Sequence, residues 1–234
     1  MCGRFVYINI DGIGVRFRLV GGGRDKSELQ LAFGDFGPPR SSYNVAPTQT
    51  IPVVTNVDGQ RRLELMRWGL IPSWWKQVDP PKSSFNARDD RLTGRGMWSG
   101  PFRRRRCLVP ANGFYEWTGE KGSRRPLFIH RRDGDLFAFA GLFDTWVSPE
   151  GSMISSCAII TTSPNSLMEP VHNRMPVILD EEQEAVWLDP LSDRPQDLLR
   201  HVQPREWPEF EAYPVSIAVG NVRNNSPELI ERVA

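Results

Sequence analysis

Cys2 draws attention by its position. A chain terminus is usually frayed and a free cysteine is usually buried. A thiol at position two is therefore either incidental or part of a terminus built into the fold for its chemistry. The residue after Met1 is small, so removal of the initiator methionine is expected. Cys2 would then carry an α-amine and a thiol on adjacent carbons. Such a 1,2-aminothiol condenses with an aldehyde. The amine forms an imine with loss of water, and the thiol adds across it to close a five-membered thiazolidine. An internal cysteine cannot do this. Reference pKa values of about 7.8 for the amine and about 8.5 for the thiol leave a useful fraction of neutral amine near neutral pH. The neighbouring Arg4 would lower both.

Three polar positions elsewhere supply partners for a thiol. Asn86 and Arg88 stand in FNARDD, Glu116 in ANGFYEW, and His172, one of three histidines, in EPVHNRMPVIL. A His or Glu beside a thiol can move protons for it. Each has a plainer alternative. A lone histidine is often structural. Strand alternation could turn Glu116 to solvent between Tyr115 and Trp117. Asn86 could cap a turn. Motifs of other chemistries, such as G-x-S-x-G, a P-loop, H-E-x-x-H or G-x-G-x-x-G, do not occur. The remaining cysteines, Cys107 in RCLVP and Cys157 in SSCAIITT, read as buried strand residues. Three widely spaced cysteines give neither a disulfide framework nor a zinc site, so no metal or cofactor is expected.

The elements that must hold these residues are mostly strands. RFVYINI and VRFRLV read as short strands joined at Asp11-Gly12, and DKSELQLAFG as an amphipathic helix over 25–34. GPPRSSYNVAPTQ reads as a Pro-rich loop. IPVVTNV and QRRLELMRW around Asp58-Gly59 are the clearest hairpin. WGLIPSWWKQVDPPKSS is irregular. From Arg106 to Trp146 successive strands turn at GEKG and Asp133-Gly134, and MISSCAIITTS adds another. DEEQEAVWL and RPQDLLRHV read as helices, and YPVSIAVGNV returns to strand. Strands and helices do not alternate as in a parallel α/β sheet. The expectation is one α+β domain over 1–234 with a β-rich, barrel-like core.

The 234 residues suffice for a proper core, and the composition, 39% hydrophobic and 24% charged, is that of a globular protein. No apolar run reaches the roughly 18 residues of a spanning helix. Arg4, Asn9 and Asp11 interrupt any apolar signal-peptide core, so a cytoplasmic protein is expected. The net charge is only +1. Arginines nonetheless crowd the middle, from Arg88, Arg91 and Arg95 through Arg103–Arg106 to Arg131 and Arg132. Such a run is a basic binding face or a solvated surface.

Taken together, MCGRF, YNVAPTQ (43–49), RWGLIPSW (67–74), NAR (86–88), RCLVPANGFYEW (106–117), TTSPN (161–165), HNRMPVIL (172–179) and AVGNV (218–222) resemble the SRAP family, the SOS-response-associated peptidase-like, abasic-site processing proteins. The blocks fall in order across nearly the whole chain. The resemblance implies a barrel-like core with surrounding helices. It also implies binding to single-stranded DNA and covalent attachment to the aldehyde of a ring-opened abasic site through the N-terminal cysteine. Cys2 would be the nucleophile, Asn86 would position the amine or sugar oxygen, and Glu116 would serve as acid/base for condensation. His172 would serve ring opening and crosslink reversal. Arg4 and Arg88 would be phosphate ligands. Trp68, Trp117 and Pro47 would be surfaces for bases or sugar.

The expected partner is single-stranded DNA bearing abasic sites, met beside the replication machinery by a monomer that associates with the nucleoid during damage. A Schiff-base intermediate would also allow weak lyase activity. Two other readings stand beside this one. One is a cysteine peptidase acting on its own N-terminus, although only Met1 precedes Cys2. The other is a non-catalytic single-strand binder. The chain departs from the family's pattern after NAR, where Asp89 and Asp90 stand and a glutamate is common. It departs again in the Gly-rich stretch before the first helix and in the run Arg103–Arg106, which either extends a DNA path or covers a helix end.

Overall fold

The computed structural model describes residues 2–8, 10–19, 40–120, 122–192 and 194–233. Its strands are β1 (Phe5–Tyr7), β2 (Ser42–Val45), β3 (Thr50–Val57), β4 (Gln60–Trp68), β5 (Asn86–Arg88), β6 (Arg106–Ala111) and β7 (Gly113–Thr118). They continue with β8 (Arg125–Arg131), β9 (Phe137–Val147), β10 (Met153–Thr162), β11 (Met175–Pro176), β12 (Ile178–Leu179) and β13 (Phe210–Pro214). The helices are α1 (Ile10–Arg16), α2 (Ser99–Arg104), α3 (Glu181–Leu188) and α4 (Pro195–Leu199).

The predicted hairpin is the seed of a barrel. In β3 and β4, Val57 pairs with Gln60 across Asp58 (φ 53°) and Gly59 (φ 79°), the paired positive φ of a type I′ turn. The order β10-β4-β3-β6-β9, with β9 returning to pair with β10, closes five strands into a ring. This is the barrel-like core of the expected α+β class. Closure leaves these strands no free edge. Beyond the ring, β5 lies parallel to β10, Asn86 opposite Ile159 and Arg88 opposite Thr161. The parallel β4 meets β10 earlier, at Ser156 and Cys157. Residues 69–85 leave the wall between these two pairings and return to it.

A second sheet, in the order β13-β8-β7-β1-β2, holds the N-terminus. β1 lies between two neighbours, with Phe5 opposite both Val45 and Phe114. Strand alternation divides its residues between two cores. Phe5 and Phe114 join the main core, where Phe5 meets Trp68 edge-to-face at 5.1 Å. Val6, Tyr115 and Phe128 join a smaller cluster with Val215, Val219 and Leu229. A Cβ at Gly113 would lie 2.3 Å from the Phe128 ring, so glycine lets β7 and β8 pack this closely. Helix α3 begins with Asp180 and Gln183 in a reciprocal capping box. Its buried Glu184 receives both Arg16 from α1 and Arg61 from β4. Among the described residues, no helix is long and apolar enough to cross a membrane.

Three expectations change. The predicted strand VRFRLV and its turn at Asp11-Gly12 give way to α1, because Ile13 and Phe17, one helical turn apart, are both buried while Val15 between them is exposed. The Pro-rich loop contains β2, whose alternation is masked by the buried Asn44. YPVSIAVGNV is strand only to Pro214 and then a 3₁₀ turn over Ile217–Gly220. The carbonyls of Val219, Gly220, Asn221 and Asn224 are taken by the side chains of Arg4 and Asn44 instead of by a neighbouring strand. The helix read as DKSELQLAFG lies outside the described residues.

Candidate active site at the N-terminal strand

Cys2 is not frayed. It enters β1 buried in the main core, and the carbonyl of Arg4 accepts from the Tyr115 N–H at 2.9 Å. The Asn86 amide nitrogen donates to the Cys2 carbonyl at 2.8 Å, at the start of β5. Its Oδ1 is buried with no hydrogen-bond partner among the described residues. Glu116 is buried too, because β7 is covered on both faces. Alternation sets it on the side of Phe114, the side of the main core where Cys2 lies, and not toward solvent. Burial pushes the Cys2 thiol pKa up, and the Glu116 carboxylate beside it pushes it further. The site therefore holds a buried thiol next to the side chain of Glu116, with an amide fixing the adjoining backbone.

His172 is held through a different connection. It stands in the turn after β10, and the chain then returns along that strand as β11. Its Nδ1 lies 2.9 Å from the Arg174 N–H and 3.1 Å from the Arg174 carbonyl. A bare Nδ1 accepts from the first, and a protonated one donates to the second. The Arg174 guanidinium donates to the Thr161 carbonyl and, at 2.7 Å, to Asp89 Oδ1. Among the described residues, no three His, Cys, Asp or Glu side chains are grouped to hold a metal ion.

The expected DNA contacts sort into rim and interior. Arg88 is 45% exposed and paired through Nε and Nη2 with Asp90, at 3.0 and 2.6 Å. That pair gives Asp90 its partner and holds its carboxyl below the usual range. Arg4 donates from Nη1 to Asn44 Oδ1 and the Val219 carbonyl and from Nη2 to the Gly220 carbonyl, which leaves two of its five N–H groups. Pro47 is half-buried in the turn before β3, and Trp117 is half-buried against the smaller cluster.

Trp68 corrects an expectation. It is 0% exposed, packed between Phe5 and Phe85, with its indole N–H on the Phe85 carbonyl, so it offers no face to a base. Its backbone instead anchors the turn carrying Pro47, through Thr48 N–H to the Trp68 carbonyl and Trp68 N–H to the Gln49 carbonyl. The open aromatic of this stretch is Trp74, 63% exposed and edge-to-face with Trp75 at 5.8 Å. Sequence reasoning passed over Trp74, although a tryptophan pair in an irregular Pro-rich segment has no strand pattern to bury both rings. The run Arg103–Arg106 also divides. Arg106 is buried on the carbonyls of Phe102, Arg103, Trp187 and Asp189, where it ties α2 to the end of α3. Arg103 and Arg104 remain exposed.

The chain is similar to known proteins in sequence and in fold. Residues 1–222 match the family described as SOS response associated peptidase (SRAP). The abasic site processing protein YoqW of Bacillus subtilis (strain 168) is 41% identical over 233 residues, covering 99% of each chain. The abasic site processing protein HMCES of Xenopus tropicalis is 33% identical over 231 residues, covering 86% of this chain and 68% of that one. A crystal structure of a protein from Bacteroides thetaiotaomicron superposes with a TM-score of 0.80 at 25% identity over the whole of both chains. The buried N-terminal cysteine, the family match and these relatives lead to one assignment: the chain belongs to the SRAP family.

Proposed function

We propose that this protein processes abasic sites by binding single-stranded DNA and joining the lesion covalently through Cys2 once Met1 is removed. The observation that carries this reading is the setting of Cys2, buried just ahead of β1 with Asn86 on its carbonyl and the Glu116 carboxylate beside its thiol. The names of the relatives give the substrate class. The closed abasic sugar first opens. Its C1 hydroxyl loses a proton and its ring oxygen gains one, a step that balances within the sugar and that His172 serves. The Cys2 amine then attacks the aldehyde carbon, and water leaves to give the imine. Glu116 takes the thiol proton as sulfur bonds to the same carbon, and the imine nitrogen is protonated. The product is a thiazolidine, with net loss of one water. Running these steps backward reverses the link, and the imine also permits slow β-elimination.

Asn86 aligns the terminus for attack. Arg88, the free N–H groups of Arg4, Pro47, Trp117 and the exposed Trp74 supply a phosphate- and base-contacting rim. Stacking on an aromatic face is indifferent to sequence, as a lesion binder requires.

The test is the intact mass of untagged protein before and after incubation with a single-stranded oligonucleotide carrying one abasic site. Loss of Met1 and a denaturant-resistant species at protein plus DNA minus water, formed without borohydride and missing for Cys2→Ser, are expected. Retained Met1, or DNA binding with no adduct, would overturn the covalent mechanism and favour a binding module.

A further inference from the structure

We infer that Asp89 is a positioning residue for His172, acting across the fold through Arg174; the inference rests on the proposed role of His172 in opening the sugar. Asp89 opens the short turn that follows β5, three residues after Asn86. Its carboxylate is filled from two sides. Oδ2 accepts from the Thr162 hydroxyl at 2.7 Å, and Oδ1 accepts from Arg174 Nη2 at 2.7 Å. The Asp89 and Arg174 side chains are 15% and 12% exposed, so the pair is largely shielded from water. Charge-assisted hydrogen bonds in such a setting are stronger and more directional than surface pairs.

The same Arg174 meets His172 through its backbone. Its N–H and carbonyl both face Nδ1, at 2.9 and 3.1 Å, so one edge of the imidazole is held whichever way Nδ1 is protonated. This suits a residue that must both give and take a proton at its other nitrogen. The path runs from β5, which carries Asn86, through Asp89 and Arg174 to the turn that carries His172. It thereby relates the histidine's placement to the strand that fixes Cys2. The adjacent Asp90 joins it only through its backbone N–H, which donates to Asp89 Oδ1 at 2.9 Å, its side chain being paired outward with Arg88.

The experiment separates ring opening from aminothiol chemistry. Untagged wild-type protein, Asp89→Ala, Thr162→Val and His172→Ala are each reacted with saturating abasic-site oligonucleotide, and separately with propanal, an aldehyde with no sugar ring to open. Intact mass gives both rates, and thermal unfolding gives the folded fraction. Asp89→Ala is expected to slow adduct formation with DNA by about tenfold or more at saturation and to leave the propanal rate within about twofold. Thr162→Val, an isosteric change that removes only one arm of the contact, is expected to act in the same direction more weakly.

Equal slowing of both reactions, an effect on half-saturating DNA concentration alone, or wild-type rates in both variants would overturn the assignment. Loss of folding by Asp89→Ala leaves Thr162→Val to decide, and a wild-type DNA rate in that variant would also overturn it. If His172→Ala is not selectively slowed with DNA while Cys2→Ser still abolishes the adduct, the role of His172 fails, and the assignment of Asp89 falls with it. Loss of the adduct from wild-type protein would mark failure of the covalent reading itself.

Discussion

The wall behind Cys2 and the exposed rim of the molecule are built from the same residue types used in opposite ways. Trp68 fills the wall, and Trp74, a little further along the chain, stands open on the rim. Asp89 is shielded and bonded to Arg174, whereas its neighbour Asp90 is 52% exposed and bonded to Arg88. The difference lies in what each backbone segment does. β4 is paired within the barrel and the Asp89 side chain is held by Thr162 and Arg174, whereas the side chains of Trp74 and Asp90 stand in solvent. The wall fixes geometry to within a hydrogen bond, and the rim leaves groups available to a partner.

Substitutions test that division most severely in the wall. Trp68→Ala should destabilise the fold by about 3–5 kcal/mol, read as a lowered urea midpoint, while Trp74→Ala should leave the midpoint unchanged. An equal loss from both would erase the distinction between wall and rim. Glu116→Gln keeps the shape of the side chain but cannot accept the thiol proton, so single-turnover crosslinking should fall by about 100-fold or more with DNA affinity preserved. A matching loss of affinity would move Glu116 to the binding surface.

On the rim, effects should appear in binding and not in chemistry. Trp74→Ala should weaken affinity for an undamaged single strand by the ~1–3 kcal/mol of a stacked base, measured by fluorescence anisotropy. The smallest change is expected from Asp90→Asn. It frees the Arg88 fork for phosphate and should tighten DNA binding by less than about fivefold, with the gain shrinking as salt rises. Weaker binding instead would make Asp90 a support for Arg88 and not its competitor.

How much of this was legible in the chain follows from the range of each signal. The β3–β4 hairpin announced itself through alternation and Asp58-Gly59, all local. Cys2, Asn86 and Glu116 were singled out by residue type, and the structure brings them together. Trp68 and Trp74 could not be told apart, because tryptophan carries no local mark of which ring a strand carries inward. Glu116 was ambiguous because alternation predicts a solvent face only when a strand has one, and β7 has none. Helix α1 was hidden by Gly12 and Gly14, which break a helical reading, and by the β-branched Val15 that it leaves exposed. The contact of Asp89 with Arg174 joins residues 85 positions apart, beyond the reach of any motif.

The grip of Arg4 and Asn44 on the carbonyls of Val219 and Gly220 spans 215 and 216 positions for Arg4. During synthesis, β1 meets its partner β7 only after Phe114 has emerged, and the last contacts of Arg4 wait for residues 219 and 220. Contacts of such sequence separation form slowly. A ribosome-bound chain thus carries Cys2 long before the surroundings that bury it are in place, and the N-terminal strand is among the last parts to mature.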